Sequence, residues 1–172
     1  SPSNCGFLEA RVTLHIESVK RYSTLDLIQE WRISTLRSAK ALVIGAGALG
    51  NETLKNLSLL GVGCIFVADF DLVESSNLSR SVLYREKDVG YPKAEISAKR
   101  VKEINYDIEV TAFHGDIFFT IGAGLYRRMD LVLGCVDNQE ARVWINAQCL
   151  GVGNLWFDAA IDVDLRDPFQ TD

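Results

Sequence analysis

A chain of 172 residues, 48% of them hydrophobic, has room for one sizeable core and none for a second complete domain of ordinary size. Its formal net charge of -5, with Lys and Arg scattered along the chain, speaks against a nucleic-acid partner, which demands a concentrated basic surface. No basic-then-apolar leader opens the sequence and no run of about 18 apolar residues occurs in it, so the expectation is a soluble, cytoplasmic protein with no membrane partner.

Residues 1–40 read as an N-terminal appendage. Val12, Leu14 and Ile16 alternate as in a strand. Ser23 precedes Leu25, Ile28 and Trp31 at helical spacing, and Ser34 offers an N-cap to a second short helix over 35–39. From residue 41 to 172 the pattern becomes strand and helix in alternation: ALVI, a glycine turn, a helix over 51–60, then the strand CIFVAD. Apolar runs of this kind are what parallel strands need when helices cover both faces of their sheet. Pro92 opens a helix over 93–104 whose core face is Ala94, Ala98 and Val101. A strand over 108–113 follows, then an interruption at Gly122 and Gly124, and then the buried strand MDLVLGC. A helix over 139–150 and a strand over 155–161 complete the pattern, and the tail DVDLRDPFQTD lacks periodicity. The fold class is therefore α/β: a doubly wound, mostly parallel Rossmann-like sheet with helices on both faces and a short N-terminal helical appendage.

Gly45, Gly47 and Gly50 form a GxGxxG pattern between a predicted strand and a predicted helix, the setting in which that pattern binds phosphate. The first glycine permits a sharp turn, the second lets backbone approach the anion, and the third lets helix and strand pack closely. The helix N-terminus then faces the phosphate. Asp69, at the end of the next strand, is placed to accept hydrogen bonds from ribose hydroxyls. These residues alone do not separate NAD, FAD and ATP.

Asn77, Arg80 and Lys93 follow that strand, toward the carboxyl edge where open α/β sheets bind ligands. Dinucleotide binding does not require them, whereas phosphoryl or adenylyl transfer needs donors for the charge that develops on phosphate oxygens. Asp137, just past MDLVLGC, offers a hard oxygen to Mg²⁺, or else a helix N-cap. Each residue taken singly is more often solvated than functional; the combination is what carries weight. His15 and His114 lie outside every motif. Trp31, Trp144 and Trp156 read as core. The cysteines, Cys5, Cys64, Cys135 and Cys149, are too widely spaced for a CxxC zinc knuckle and read as reduced thiols, the last three of them buried.

The blocks VIGAGALGNETLKNLSLLGVG, VADFDLVESSNLSR, DVGYPKAE and CVDNQEARVWIN, in this order from about Leu36 to about Ile161, resemble the ThiF/MoeB/HesA family, which includes the ubiquitin-activating enzymes. The SNLSR and DVGxPKAE blocks are far more specific than the glycine motif. The resemblance implies a Mg·ATP-dependent adenylyltransferase. In such an enzyme the C-terminal glycine carboxylate of a ubiquitin-like or sulfur-carrier protein ending in Gly-Gly attacks the α-phosphate, giving an acyl adenylate and pyrophosphate. It further implies Asp69 for the ribose, Asn77, Arg80 and Lys93 for the phosphates, Asp137 for the metal, and a homodimer. No side-chain nucleophile is expected, because the attacking group belongs to the substrate.

Many family members carry an arginine two residues after the tyrosine of their first helix, reaching the neighbouring subunit's ATP. Here Thr24 follows Tyr22 at that spacing, and Arg21 would leave the helix on another face. The family also usually continues for roughly another hundred residues, a cradle for the protein substrate that often holds a CxxC zinc pair. Residues 41–172 are thus expected to be a ThiF-type ATP-binding domain without that half. Two other readings stay open. A catalytically silent nucleotide-binding or dimerisation module would bind ATP without turnover. A nicotinamide- or flavin-dependent oxidoreductase would rest on the glycines and Asp69 alone, leaving Asn77, Arg80, Lys93 and Asp137 unexplained.

Overall fold

In β1 (Lys40–Ile44) the pleat sends Ala41 and Val43 to one face and Leu42 and Ile44 to the other, and all four are buried. Each face packs on its own hydrophobic cluster, which is why the strand reads as a continuous apolar run and not as an alternation. The computed structural model describes residues 21–23 and 32–160. The strand-like stretch around Val12 to Ile16, the helix expected from Leu25 to Trp31, and Thr24 lie outside them.

After α1 (Ile33–Ser38) and β1 come α2 (Ala48–Leu60), β2 (Cys64–Asp69), α3 (Lys93–Ile104) and β3 (Glu109–His114). Two single-turn helices, α4 (Ile117–Thr120) and α5 (Ala123–Tyr126), then lead to β4 (Leu131–Gly134), α6 (Gln139–Val152) and β5 (Trp156–Asp158). The strand order is β3-β2-β1-β4-β5, and every pairing is parallel. Helices α2 and α3 cover one face through Leu54 and Val101. Helices α4, α5 and α6 cover the other through Ile117, Tyr126 and Ile145.

Because the chain winds outward from β1 to β3 and then returns to place β4 on the other side of β1, the winding reverses between β1 and β4. Ile44 pairs with Gly134 there, so the glycine loop after β1 and the segment after β4 leave the sheet side by side. That divergence opens a crevice at the carboxyl edge, the usual ligand position of a doubly wound sheet.

The structure departs from several of these expectations. Ser34 lies inside α1; Arg32 is the cap residue, its carbonyl accepting from the Thr35 and Leu36 amides at 3.0 and 3.3 Å with no side-chain cap. The glycines at 122 and 124 do not simply interrupt the chain, since Gly122 caps α5. Cys149 is buried, but Cys64 and Cys135 are only half-buried. Trp144 and Trp156 are partly buried and pack against the second cluster.

Of the described N-terminal residues, Tyr22 is buried, and its hydroxyl accepts from Asn105 Nδ2 at 2.7 Å. The same amide group donates to the Ser58 carbonyl at 2.9 Å, so one buried asparagine ties the N-terminal segment to α2 and to the end of α3. Arg21 donates to the Ile104 carbonyl at 3.3 Å and stacks over the Tyr106 ring at 5.8 Å. It therefore sits at the amino edge of the sheet, opposite the crevice.

Candidate functional site

At the head of the crevice Gly45 adopts φ +94°, a conformation L side chains rarely reach, and its amide donates to the Ala68 carbonyl at 2.8 Å. A Cβ at Gly50 would run into the Gly45 carbonyl, so the third glycine sets how closely α2 approaches the loop. Gly47 differs: a Cβ there would meet nothing within 4 Å, and it caps α2 without a side-chain hydrogen bond. An uncapped first turn beside open space is the arrangement that receives an anion at a helix N-terminus.

The loop is held from beneath by residues that motif reading did not single out. Asn51 is fully buried and donates to the Ala46 and Gly47 carbonyls at 2.7 and 3.0 Å, while its Oδ1 accepts from the Leu83 amide at 2.9 Å. The Tyr84 hydroxyl donates to the Ala46 carbonyl at 2.6 Å and lies 3.1 Å from the Ser97 hydroxyl; burial pushes its pKa up to about 12. The only sequence signal for Asn51 is a polar residue directly behind Gly50 on an otherwise core-facing turn.

Asp69 ends β2 with both carboxylate oxygens engaged: Oδ2 accepts from the Ala46 amide at 2.6 Å and Oδ1 from the Asp71 amide at 2.7 Å. Burial raises its pKa, against the lowering effect of those two amides and of the Lys93 charge. The carboxylate thus shapes the glycine loop as well as lining the cavity. Replacing Asp69 by Ala is expected to weaken Mg·ATP binding and also to lower stability by about 1–3 kcal/mol, because the Ala46 amide loses its partner in a buried position. Titration calorimetry and urea unfolding on one preparation check both parts; unchanged ATP affinity would remove Asp69 from the site.

Beyond β2, Asn77 sits in a 3₁₀ turn (Ser75–Ser79), its Oδ1 accepting from the Glu74 amide at 2.9 Å. Its carbonyl end is thereby occupied and its amide end is the available donor. Arg80 is exposed, with Nη1 donating to the Ser76 carbonyl at 2.8 Å. Lys93 opens α3 and is 8% exposed; its ammonium pairs with Asp71 Oδ2 at 2.8 Å. On the opposite wall Asn138, not Asp137, caps α6, accepting from the Ala141 amide at 2.7 Å. Asp137 is left exposed at the crevice.

These side chains border one cavity of about 470 Å³, lined by Gly45, Gly47, Asp69, Asn77, Arg80, Lys93 and Asp137. Gly50 alone of the expected residues lies behind the lining, consistent with a packing role. Asp71, Asp116, Glu140 and Arg142 are additional charged residues of the wall. Arg80, Arg142 and Lys93 bring three cationic groups to a wall that also carries five carboxylates, so the donors suited to phosphate oxygens are local groups and not a uniformly basic lining. Among the described residues no three His, Cys, Asp or Glu side chains cluster as a metal cage. A lone carboxylate such as Asp137 suits Mg²⁺, which keeps waters and takes phosphate oxygens from a nucleotide. Cys135 also borders the cavity, but burial raises its thiol pKa, outweighing the lowering effect of the Thr53 hydroxyl 3.7 Å from its sulfur, and so disfavours a reactive thiolate. No helix among the described residues is long and apolar enough to cross a membrane.

Comparison with known proteins places this geometry in context. The ThiF family model matches residues 19–163. The chain is similar to SUMO-activating enzyme subunit 2 of Dictyostelium discoideum, 38% identical over 139 residues, covering 80% of this chain and 20% of that protein. It is also similar to the sulfur carrier protein ThiS adenylyltransferase of Escherichia coli (strain K12), 34% identical over 135 residues, covering 77% of this chain and 54% of that protein. Among solved structures, that of E. coli MccB with ATP superposes with a TM-score of 0.65 at 26% identity, covering 74% of this chain and 38% of that one. The chain thus spans at most about half the length of these relatives.

Proposed function

The chain belongs to the ThiF family, and from that premise we propose that it is the nucleotide-binding part of an enzyme that uses Mg·ATP to adenylate the C-terminal glycine carboxylate of a ubiquitin-like or sulfur-carrier protein. The observation that carries this reading is the convergence of Arg80, Lys93 and Asn77 on the cavity that the glycine loop opens. A dinucleotide site has no use for three such donors beyond its phosphate loop, whereas an adenylyl-transfer site has to stabilise charge on a reacting phosphate and on departing pyrophosphate. The names of the activating enzymes and of the ThiS adenylyltransferase among its relatives support the same chemistry.

In this account Asp69 receives the ribose hydroxyls while keeping the loop in shape through the Ala46 amide. The uncapped start of α2 and the open side of Gly47 accept phosphate oxygens. Arg80 contributes a planar fork, Lys93 a point charge, and the Asn77 amide a neutral donor. Asp137 is the residue that would hold Mg²⁺, which supplies charge neutralisation on the phosphates when bound. An acceptor carboxylate oxygen forms a bond to the α-phosphorus. The bond from that phosphorus to the bridging oxygen breaks, and pyrophosphate departs with the electron pair. The chain's own groups orient the reactants and stabilise charge; none is consumed.

The test is ATP–pyrophosphate exchange by the chain in the presence of Mg²⁺ and a β-grasp protein ending in Gly-Gly. Exchange that requires both additions is expected. Exchange indifferent to the acceptor's terminal glycine would exclude the proposed carboxylate chemistry.

A further inference from the structure

Lys93 is almost wholly enclosed, its side chain 11% exposed, yet it carries a charge that a buried site tolerates only beside a counterion. That counterion is Asp71, whose Oδ2 lies 2.8 Å from the ammonium and whose own side chain is 47% exposed. The pair is held by backbone as well. The Lys93 amide donates to the Asp71 carbonyl at 2.9 Å, Leu72 and Pro92 form an antiparallel bridge, and the Val73 amide donates to the Tyr91 carbonyl at 2.8 Å. A short ladder therefore fixes where both side chains start, and the Asp71 amide in turn anchors Asp69.

We propose that Asp71 is a positioning residue, a placeholder that holds the Lys93 ammonium at the cavity wall until a nucleotide polyphosphate takes its place. This rests on the function proposed above and adds a residue to it. The asymmetry of exposure is what makes the exchange workable. When the ammonium turns to a phosphate oxygen, the half-exposed carboxylate regains water at little cost, whereas the enclosed lysine reaches solvent only through the cavity. Without Asp71 the ammonium loses the carboxylate that holds it in place, with only the charge attraction of Asp69 left, and is no longer presented where a phosphate would meet it.

The experiment compares the wild-type chain with Asp71→Asn and Asp71→Glu by two readouts: Mg·ATP affinity by calorimetry, and acylation of Lys93 by a water-soluble anhydride, read by peptide mass spectrometry against the other lysines. Because the ladder uses backbone groups only, Asp71→Asn is expected to fold. The expected result is a loss of about tenfold in ATP affinity in Asp71→Asn, most of it regained in Asp71→Glu, with Lys93 acylated severalfold faster in Asp71→Asn. A purely structural role would not raise the reactivity of Lys93 selectively. Wild-type or tighter ATP binding by Asp71→Asn, or unchanged Lys93 acylation, would overturn the proposal. If the wild-type chain itself bound no ATP, the adenylation reading would fall first, and this one with it.

Discussion

Arg80→Ala is expected to reduce ATP–pyrophosphate exchange by about a hundredfold to a thousandfold while leaving the thermal midpoint within about 2 °C of wild type. The two halves of that expectation come from one observation. Arg80 is exposed, belongs to neither hydrophobic cluster, and its side chain donates to the Ser76 carbonyl of its own turn. Removing it costs the fold little and deprives the cavity of its one guanidinium on the wall that follows β2. Arg80→Lys is expected to restore only part of the rate, because an ammonium cannot reproduce a planar fork against two phosphate oxygens. Exchange assays with matched thermal melts check the prediction, and wild-type exchange by Arg80→Ala would take the residue out of the mechanism.

The second large effect separates the three glycines by what surrounds them. Gly50→Ala is expected to lose about 3 kcal/mol or more of stability, since its Cβ would collide with the Gly45 carbonyl, a backbone atom that cannot swing aside. Gly45→Ala is expected to be similarly harmful: φ +94° is combined there with a collision against the Cys135 carbonyl. Gly47→Ala is expected to do the opposite. With φ -70° and open space around the new methyl group, the fold persists, and the methyl occupies the space proposed for a phosphate. Urea unfolding and ATP titration of the three variants should therefore give two unstable proteins and one stable protein with weakened nucleotide binding. A Gly47→Ala variant with full ATP affinity would move the phosphates elsewhere.

These contrasts also show which features a sequence can carry. Residues 41–44 and 64–69 were readable as parallel strands because two-sided burial forces a continuous apolar run. The helix Lys93–Ile104 kept its predicted limits because Ala94 and Val101 face the core at helical spacing and Pro92 closes the chain in front of them. The single-turn helices Ile117–Thr120 and Ala123–Tyr126 were not readable, since four residues are too few for a 3.6-residue period to show. Ser34 misled for a related reason: a good capping residue near a helix start does not fix which residue turns the chain.

At the site, Gly45, Gly47, Asp69, Asn77, Arg80, Lys93 and Asp137 were legible among the residues that face the cavity, while Asp71 and Arg142 on the same wall, and the residues that support them, were not. Arg80, Lys93 and Asp137 stand at the carboxyl edge of the sheet, a position that topology alone assigns once the strands are known. Asn51 and Tyr84 grip the glycine loop from within the core, and Asp71 matters through its pairing with Lys93 across 22 residues. Such partnerships depend on how separate segments come together, and no local spacing encodes them. The half-burial of Cys64 and Cys135 escaped for a similar reason. Cys64 opens β2 at its amino end, and Cys135 leaves β4 at the crevice, so both lie where the covering helices stop.

On the proposed reading this cavity binds a nucleoside triphosphate and not a nicotinamide dinucleotide. Calorimetric titration of the chain with Mg·ATP, run beside an identical titration with NAD⁺, tests it most directly. Saturable Mg·ATP binding that Arg80→Ala weakens severely is expected, with no heat from NAD⁺. Binding of NAD⁺ with none of ATP would contradict it and make the glycine loop the start of a dinucleotide site.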